Sequence, residues 1–300
     1  MTDVTVLGLG AMGSALAQTF LAGGLKVTVW NRSANKADPL TARGAERAGS
    51  VEAALRASPL VVVSVLDYGA VAEILERAAG SLAGLSLVNL TNGTTAQARR
   101  MAHWVESHGG RYVDGAVMVT PDRVGGPEAF VLYSGLHDAY LAHESTLALL
   151  GSGHWLGNEP GRAALYDLAL LSAMFGMFGG FLHAAGLLRS DNIPVAEVTP
   201  MIVDLLHAMV DLLPQTATEI DSGVHPQPIS NNGMMAAALQ NIVTGSEEQR
   251  VQADLMAPIR ELFERGAASG LGSQDISALV PLLTVSSAGG AVGGAKATGD

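Results

Sequence analysis

The chain has 300 residues, of which 48% are hydrophobic and 15% charged, so it can form one large domain or two ordinary ones. This composition excludes disorder driven by high charge and low hydrophobicity over most of the chain. Seventeen basic and 28 acidic residues give a net charge of −11, which argues against nucleic acid as a partner. The absence of cysteine excludes disulfides and thiolate chemistry. The N-terminal residues show no signal-peptide pattern, and we expect a cytoplasmic protein.

Short apolar runs alternate with Ala-rich stretches of helical length in the first half of the chain, as in parallel sheets built from βαβ units. The predicted strands are Val4–Leu7, Val27–Trp30, Leu60–Leu66, Leu85–Leu90, Tyr112–Val119 and Ala129–Tyr133. After Trp155 the pattern is helical. We therefore predict an α/β nucleotide-binding domain over residues 1–160, an interdomain helix over 161–189, an all-α domain over 190–288 and a flexible tail over 289–300.

A glycine motif follows the first predicted strand and precedes an amphipathic helix predicted over Ser14–Ala22. The first glycine permits a tight turn, the second lets the backbone approach a pyrophosphate, and the third lets the helix pack on the strand. The helix N-terminus adds free N–H groups for the phosphates. We therefore predict a doubly wound Rossmann sheet with a dinucleotide site formed by Gly8, Leu9, Gly10, Ala11, Met12 and Gly13.

The end of the second predicted strand indicates which dinucleotide binds. NAD sites usually place an acidic residue there, whereas this chain has Asn31, Arg32 and Ser33, with Lys36 one turn further on. Arg32 can bind a 2′-phosphate through two charge-assisted hydrogen bonds, and Ser33 and Lys36 can add donors. The alternative is that Arg32 and Lys36 are ordinary solvated charges. Because the chain has only three lysines and two of them are Lys26 and Lys36, we predict NADP.

The segment Ala163–Leu188 is apolar almost throughout and is long enough to cross a membrane. We interpret it as a buried helix of a soluble protein and expect no membrane association. Ser172, Gly176 and Gly180 recur every four residues and form a stripe that another helix can approach closely. A helix that is apolar all round must be covered on all sides, so we expect a partner subunit to cover part of it.

The positions of the lysines argue against two kinds of reductase. Short-chain reductases need a Tyr-x-x-x-Lys pair, and neither Tyr68 nor Tyr166 is followed by lysine at that spacing. β-Hydroxyacid dehydrogenases use a lysine early in the helix that follows the Rossmann domain. Here the lysines are Lys26 and Lys36 in the nucleotide half and Lys296 in the tail, which argues against that activity despite a matching layout.

Asp167 is the ionisable residue within the apolar part of the interdomain helix. A carboxylate on an apolar face is costly to bury unless it has a partner or a raised pKa. It can act as a proton donor, or as an anion facing a cationic substrate. It can equally be a structural partner of an arginine such as Arg162 or Arg189, and its position alone leaves both interpretations open.

The chain resembles the NADPH-dependent imine reductases, relatives of the β-hydroxyacid dehydrogenases, over nearly its whole length. The segments that carry the resemblance are Gly8–Gly13, Trp30–Ser33, Leu66–Tyr68, Asn89–Thr94, Asp114–Met118, Tyr133–Gly135 and Leu165–Leu171. The resemblance implies a Rossmann domain, one long interdomain helix and a helical domain exchanged between the subunits of a homodimer. It also implies an active site between the cofactor of one subunit and the helical domain of the other.

The resemblance also implies roles for individual residues. The interdomain helix of the family carries an Asp or a Tyr as proton donor, and Asp167 matches the Asp class. Asn92 matches a polar residue beside the nicotinamide, and Leu66 belongs to the cofactor-binding set. Some members have a tyrosine eight residues beyond the Asp, where this chain has Phe175, which cannot donate a proton. Met234, expected just before a helix over 235–243, falls near a substrate-pocket position.

The reaction that these features imply is reduction of an imine to an amine by hydride from NADPH, with Asp167 as proton donor or iminium anchor. Apolar neighbours of Phe175 and Met234 suit a hydrophobic cyclic substrate. The eight histidines show no ligand spacing, and we assign no metal. Two alternatives are a β-hydroxyacid dehydrogenase acting on a 3-hydroxy acid and a non-catalytic NADP-binding dimer.

Overall fold

The computed structural model describes residues 1–228 and 230–284, and the predicted tail over 289–300 lies outside the described residues. The chain divides into two units, Met1–Ala173 and Met174–Asp300. The predicted limits of the domains stay a prediction.

An eight-stranded sheet forms the first unit, in the order β3-β2-β1-β4-β5-β6-β7-β8. The strands are β1 (Val4–Leu7), β2 (Val27–Trp30), β3 (Glu46–Arg47), β4 (Leu60–Val63), β5 (Ser86–Asn89), β6 (Arg111–Val117), β7 (Phe130–Gly135) and β8 (Ser152–Trp155). The strands from β1 to β6 pair in parallel, β7 is antiparallel to β6, and β8 is parallel to β7. The order of the first six strands is that of a Rossmann fold, which confirms the predicted fold class.

Helices pack on this sheet through two apolar cores. The helices of this unit are α1 (Ala11–Ala22), α2 (Asp38–Thr41), α3 (Val51–Leu55), α4 (Tyr68–Glu76), α5 (Thr95–Ser107), α6 (His137–Leu141) and α7 (Glu144–Leu147). Successive residues of a strand point to opposite faces of a sheet. Val62 accordingly joins the core that contains Phe20 of α1, whereas Val63 joins the core that contains Val71 of α4.

The prediction missed two strands of the sheet. β3 has only two residues, Glu46 and Arg47, and both are exposed. β8 begins with Ser152, Gly153 and His154, which are also exposed. Neither segment has the buried β-branched residues that identify a strand in a sequence. Both are recognised as strands only through their pairing, β3 with β2 and β8 with β7.

The second unit is helical, as predicted. Helix α8 (Arg162–Ser190) contributes its first residues to the first unit, and it is followed by α9 (Val195–Val210), α10 (Leu213–Ser222), α11 (Asn232–Glu248) and α12 (Ala257–Gly266). A helical segment over Ala267–Leu271 and a 3₁₀ helix over Ile276–Leu283 follow. The expectation that Met234 precedes its helix is wrong, because the Asn231 side chain caps α11 and accepts a hydrogen bond from the Met234 N–H at 3.1 Å.

Helix α8 is long and apolar enough to cross a membrane, judged by length and composition alone. Only 6% of its most apolar window is buried within one chain. A Cβ atom built on Gly176 or Gly180 would meet no described atom within 4 Å. One copy of the chain therefore leaves most of this helix uncovered.

Candidate active site

A cavity of about 410 Å³ lies at the carboxyl ends of β1, β2 and β4. In open α/β sheets this edge is where ligands bind, at the point where the strand order reverses. The predicted cofactor residues that line it are Gly8–Gly13, Asn31, Arg32, Ser33, Lys36 and Leu66. Helix α4 forms another wall with Glu73 and Arg77, which we did not predict.

The glycine loop has the shape that a close approach to a ligand requires. Gly8 has φ +91°, and a Cβ there would collide with the Ser64 carbonyl. A Cβ on Gly13 would collide with the Gly8 carbonyl, whereas one on Gly10 would meet no described atom within 4 Å. No side chain in the described part of the chain caps α1, so its first N–H groups are available to phosphate oxygens. The loop therefore fits a dinucleotide pyrophosphate.

Asn31 shapes the two loops that border the cavity. Its Oδ1 accepts a hydrogen bond from the Leu9 N–H at 2.9 Å, and its Nδ2 donates to the Ser33 carbonyl at 3.0 Å. Both polar atoms of the side chain are thus used within the protein. Asn31 ties the glycine loop to the segment that carries Arg32 and Ser33.

Arg32 faces a carboxylate from α4. Its Nη1 lies 3.9 Å from Glu73 Oε2, and Glu73 Oε1 accepts from Arg77 Nη2 at 2.6 Å. Residues 31–36 contain no acidic residue, as the sequence shows, but α4 brings the carboxylate of Glu73 close to Arg32. The Arg32 side chain is 82% exposed, and exposed ion pairs contribute little, so an incoming phosphate can replace Glu73 as its partner.

Asp167 is buried on α8, with only 6% of its surface exposed. Its Oδ2 accepts a hydrogen bond at 2.6 Å from Nδ2 of Asn92, which follows β5 in the chain. Burial raises the pKa of Asp167, and the hydrogen bond from Asn92 lowers it in part. The alternative of an arginine partner is wrong, because the observed partner is an amide and Arg162 donates instead to the Leu156 carbonyl at 2.9 Å.

A second buried carboxylate, Asp114 of β6, lies at the start of α8. Its Oδ2 accepts from the Ala164 N–H at 3.3 Å, and its Oδ1 accepts from the Tyr68 and Tyr112 hydroxyls at 2.6 Å and 3.2 Å. Burial raises the pKa of Asp114 to about 6; these hydrogen bonds oppose the rise and the charge of Asp167 adds to it. We predicted no role for Asp114, although an Asp within an otherwise apolar strand is a recognisable signal.

The other predicted pocket residues are exposed. Phe175 on α8 and Met234 on α11 belong to the second unit, where they are 63% and 56% exposed. Leu66 on the rim of the cavity is 89% exposed. Within residues 1–228 and 230–284, no group of three or more His, Asp or Glu side chains is arranged to hold a metal ion.

Comparison with known proteins places these features in one family. Residues 3–157 match the NAD binding domain of 6-phosphogluconate dehydrogenase, and residues 159–285 match the NADPH-dependent reductive aminase-like C-terminal domain. The chain is 41% identical to the NADPH-dependent reductive aminase of Aspergillus oryzae, covering 94% of this chain and 97% of that protein.

Solved structures agree with this assignment. A reductive aminase from Aspergillus terreus, in complex with NADPH and ethyl-5-oxohexanoate, has a TM-score of 0.91 at 45% identity and covers 95% of this chain and 100% of its own. An imine reductase from Myxococcus stipitatus, in complex with NADP+, has a TM-score of 0.90 at 32% identity, with 94% and 100% covered. The chain belongs to the family of NADPH-dependent imine reductases and reductive aminases, oxidoreductases that act on C=N bonds.

Proposed function

We propose that this protein reduces hydrophobic cyclic imines to amines, with Asp167 as the proton donor or the anchor of the iminium ion. The observation that carries this proposal is a buried carboxylate whose partner is the neutral amide of Asn92, 2.6 Å away. A carboxylate that is not neutralised by a cation of its own can interact with a cationic substrate. The family assignment supports the reaction class.

The cofactor site is assigned to the cavity at the edge of the sheet. The glycine loop over Gly8–Gly13 and the N-terminus of α1 hold the pyrophosphate. Arg32, Ser33 and Lys36 hold the 2′-phosphate through charge-assisted hydrogen bonds. Asn31 orients both loops through its two hydrogen bonds. NADPH bound there supplies the hydride.

Asp167 is proposed to make the C=N carbon electrophilic enough to accept that hydride. An imine becomes strongly electrophilic when its nitrogen is protonated. In its protonated form Asp167 gives this proton to the nitrogen as a general acid, and the raised pKa that burial produces favours that form. In its ionised form it stabilises the iminium by Coulomb attraction, which a dry pocket strengthens. In both cases Asn92 orients the carboxylate.

A homodimer completes the proposed site. Large apolar side chains are exposed on two neighbouring helices of the chain, with Phe175 and Leu182 of α8 at 63% and 64% and Met201 and Leu205 of α9 at 62% each. So much apolar surface marks an interface, and the uncovered Gly176 lets another helix approach closely. We propose that a second copy of the chain covers this surface and that the two copies exchange their helical domains. Phe175 and Met234 then line a substrate pocket between the subunits. We propose that this dimer acts in the cytoplasm.

An assay with three substrates tests the function. NADPH oxidation is followed with a small cyclic imine, and NADP+ reduction is followed with a 3-hydroxy acid. Imine-dependent oxidation supports the proposal, whereas activity on the hydroxy acid alone would identify a β-hydroxyacid dehydrogenase. Binding of NADPH without turnover of either substrate would identify a non-catalytic protein. A ketone mixed with an amine, as the third substrate, tests whether the enzyme also condenses the two before reduction.

A further inference from the structure

We propose that Asp114 is a positioning residue for Asp167, holding the first turn of α8 and placing a second negative charge near the reacting carboxyl group. This inference rests on the proposed role of Asp167. Asp114 itself is 1% exposed and its oxygens are all used within the protein. It therefore acts through Asp167 and does not touch the substrate.

Two strands anchor the beginning of α8. The first N–H groups of a helix have no partner inside the helix. In α8 the Ala163 N–H donates to Ser134 Oγ of β7 at 3.0 Å, and the Ala164 N–H donates to Asp114 Oδ2 of β6 at 3.3 Å. Asp167 is three residues after Ala164, so its side chain lies on the same side of the helix one turn later. Fixing these two amides fixes where Asp167 lies.

The other oxygen of Asp114 connects to the partner of Asp167. Its Oδ1 accepts from the Tyr68 hydroxyl at 2.6 Å, and a Cβ built on Gly93 would collide with the Tyr68 ring. Tyr68 therefore packs directly against the residue that follows Asn92. Asp114 thus holds both sides of the Asn92–Asp167 hydrogen bond, one through Ala164 and the other through Tyr68.

The two carboxyl groups also influence each other by charge. The groups that face Asp114 are the Tyr68 and Tyr112 hydroxyls and the Ala164 N–H, and the charged group that acts on it is Asp167. Nδ2 of Asn89 donates to the Tyr112 hydroxyl at 3.1 Å, so that hydroxyl is free to donate to Asp114. Interaction between two titrating groups is mutual. Above about pH 6, where Asp114 is ionised, its charge therefore favours the protonated form of Asp167.

The pH dependence of kcat/KM for a neutral cyclic imine tests the inference on Asp114→Asn, with Ser134→Ala as the matched control. Asp114→Asn should lower kcat/KM about 10-fold or more, since small displacements of a catalytic group are costly. The limb of the pH profile of kcat/KM that the titration of Asp167 sets should also move to lower pH, because the negative charge of Asp114 no longer repels that of Asp167. The limb should move to lower pH whether Asp167 acts in its protonated form or in its ionised form. Ser134→Ala loosens the same helical turn without changing a charge, so it should lower activity and leave the limb in place.

Tyr68→Phe provides a second variant in case Asp114→Asn does not fold. It removes the 2.6 Å hydrogen bond that stabilises the charged form of Asp114, while its ring still packs on Gly93. Less charge on Asp114 should move the limb in the same direction by a smaller amount. An unmoved limb in every folded variant of Asp114 and Tyr68 overturns the inference, and so does an equal movement in Ser134→Ala.

Asp167→Asn, measured in parallel, separates this inference from the proposed function. If Asp167→Asn loses activity while the Asp114 and Tyr68 variants keep the wild-type limb, the positioning role is wrong and the function stands. If Asp167→Asn keeps full activity, the proposed function itself is wrong and Asp114 has no catalytic group to position. Loss of activity in Asp167→Asn together with the shifted limb supports both.

Discussion

Nδ2 of Asn92 lies 2.6 Å from Oδ2 of Asp167, which joins the loop after β5 to the second turn of α8. A hydrogen bond from a neutral amide to a carboxylate stabilises the charged form without cancelling its charge. Asp167 therefore stays able to attract a cation or to give up a proton.

Replacing Asn92 should change both the rate and its pH dependence. Asn92→Ala removes the hydrogen bond that lowers the pKa of Asp167, so the limb that Asp167 sets should move to higher pH. It should also lower kcat/KM about 10-fold or more, because hydrogen bonds to charged groups are worth about 1.5–3 kcal/mol. A pH profile of kcat/KM with a cyclic imine checks both effects. A shift to lower pH would contradict the assigned direction.

Removing the carboxylate near Arg32 should improve NADPH binding. In Glu73→Gln, Arg32 no longer has a competing anion and the phosphate no longer meets a like charge. The KM for NADPH should fall about two- to fivefold, the range of exposed ion pairs, while the KM for NADH stays the same. Glu76→Gln on the same helix is the matched control and should change neither value.

The opposite change should have the opposite effect if Arg32 binds the phosphate. Arg32→Glu should raise the KM for NADPH far more than the KM for NADH. Equal effects on the two cofactors would show that Arg32 does not distinguish them.

Local patterns were enough to predict the nucleotide fold. Gly8 and Gly10 lie in the turn between β1 and α1, and Gly13 lies in the first turn of α1, so a single local segment carries the whole motif. Glu73 could not be placed near Arg32 in this way, because the contact joins α4 to the end of β2 and depends on how α4 packs on the sheet. Residue spacing along one segment says nothing about such pairs.

Helix α8 shows the same limit of local patterns. The apolar surroundings of Asp167 marked it as unusual, but its partner Asn92 is 75 positions away in the chain. An Asp within the apolar strand β6 is recognisable in the sequence, but its role depends on the contact between Asp114 and the Ala164 N–H, 50 positions away in the chain. Met234 lies inside α11 because the helix begins at the Asn231 cap, and the apolar pattern of the sequence alone does not show that cap.

Enlarging the small-residue stripe on α8 should disrupt assembly. Gly176→Leu places a bulky side chain where a second helix is proposed to approach, so the variant should be monomeric, insoluble or inactive. Light scattering on the wild-type protein should show a dimer. Gly245→Leu on α11, where a Cβ likewise meets no described atom within 4 Å, is the control and should remain dimeric. A fully active wild-type monomer, or a protein that stays in solution only with detergent, would contradict the dimer.

The buried Asp114 should make stability depend on pH. Its pKa of about 6 in the folded protein exceeds the ordinary value of 3.8, so the folded state holds its proton more tightly than the unfolded state. Its contribution is therefore present below about pH 4 and is lost as the pH rises through 6, by about 3 kcal/mol. Urea unfolding of wild type and Asp114→Asn between pH 4 and 7 measures this. The wild-type advantage over the variant should shrink with rising pH, and a growing advantage would reverse the assignment.

Kinetics of Asp167 variants on a neutral cyclic imine and on a pre-formed, permanently charged iminium test the central claim most directly. Asp167→Ala should reduce kcat/KM for the imine by roughly 10²–10⁴, with little change in NADPH affinity or thermal stability. Asp167→Asn keeps the shape but loses the charge and the titratable proton. If Asp167 acts only as an acid, this variant should reduce the iminium almost normally, whereas an anchoring role predicts a loss there too. Near-full activity of Asp167→Ala on the neutral imine, or a loss that only follows its stability, would contradict the catalytic role.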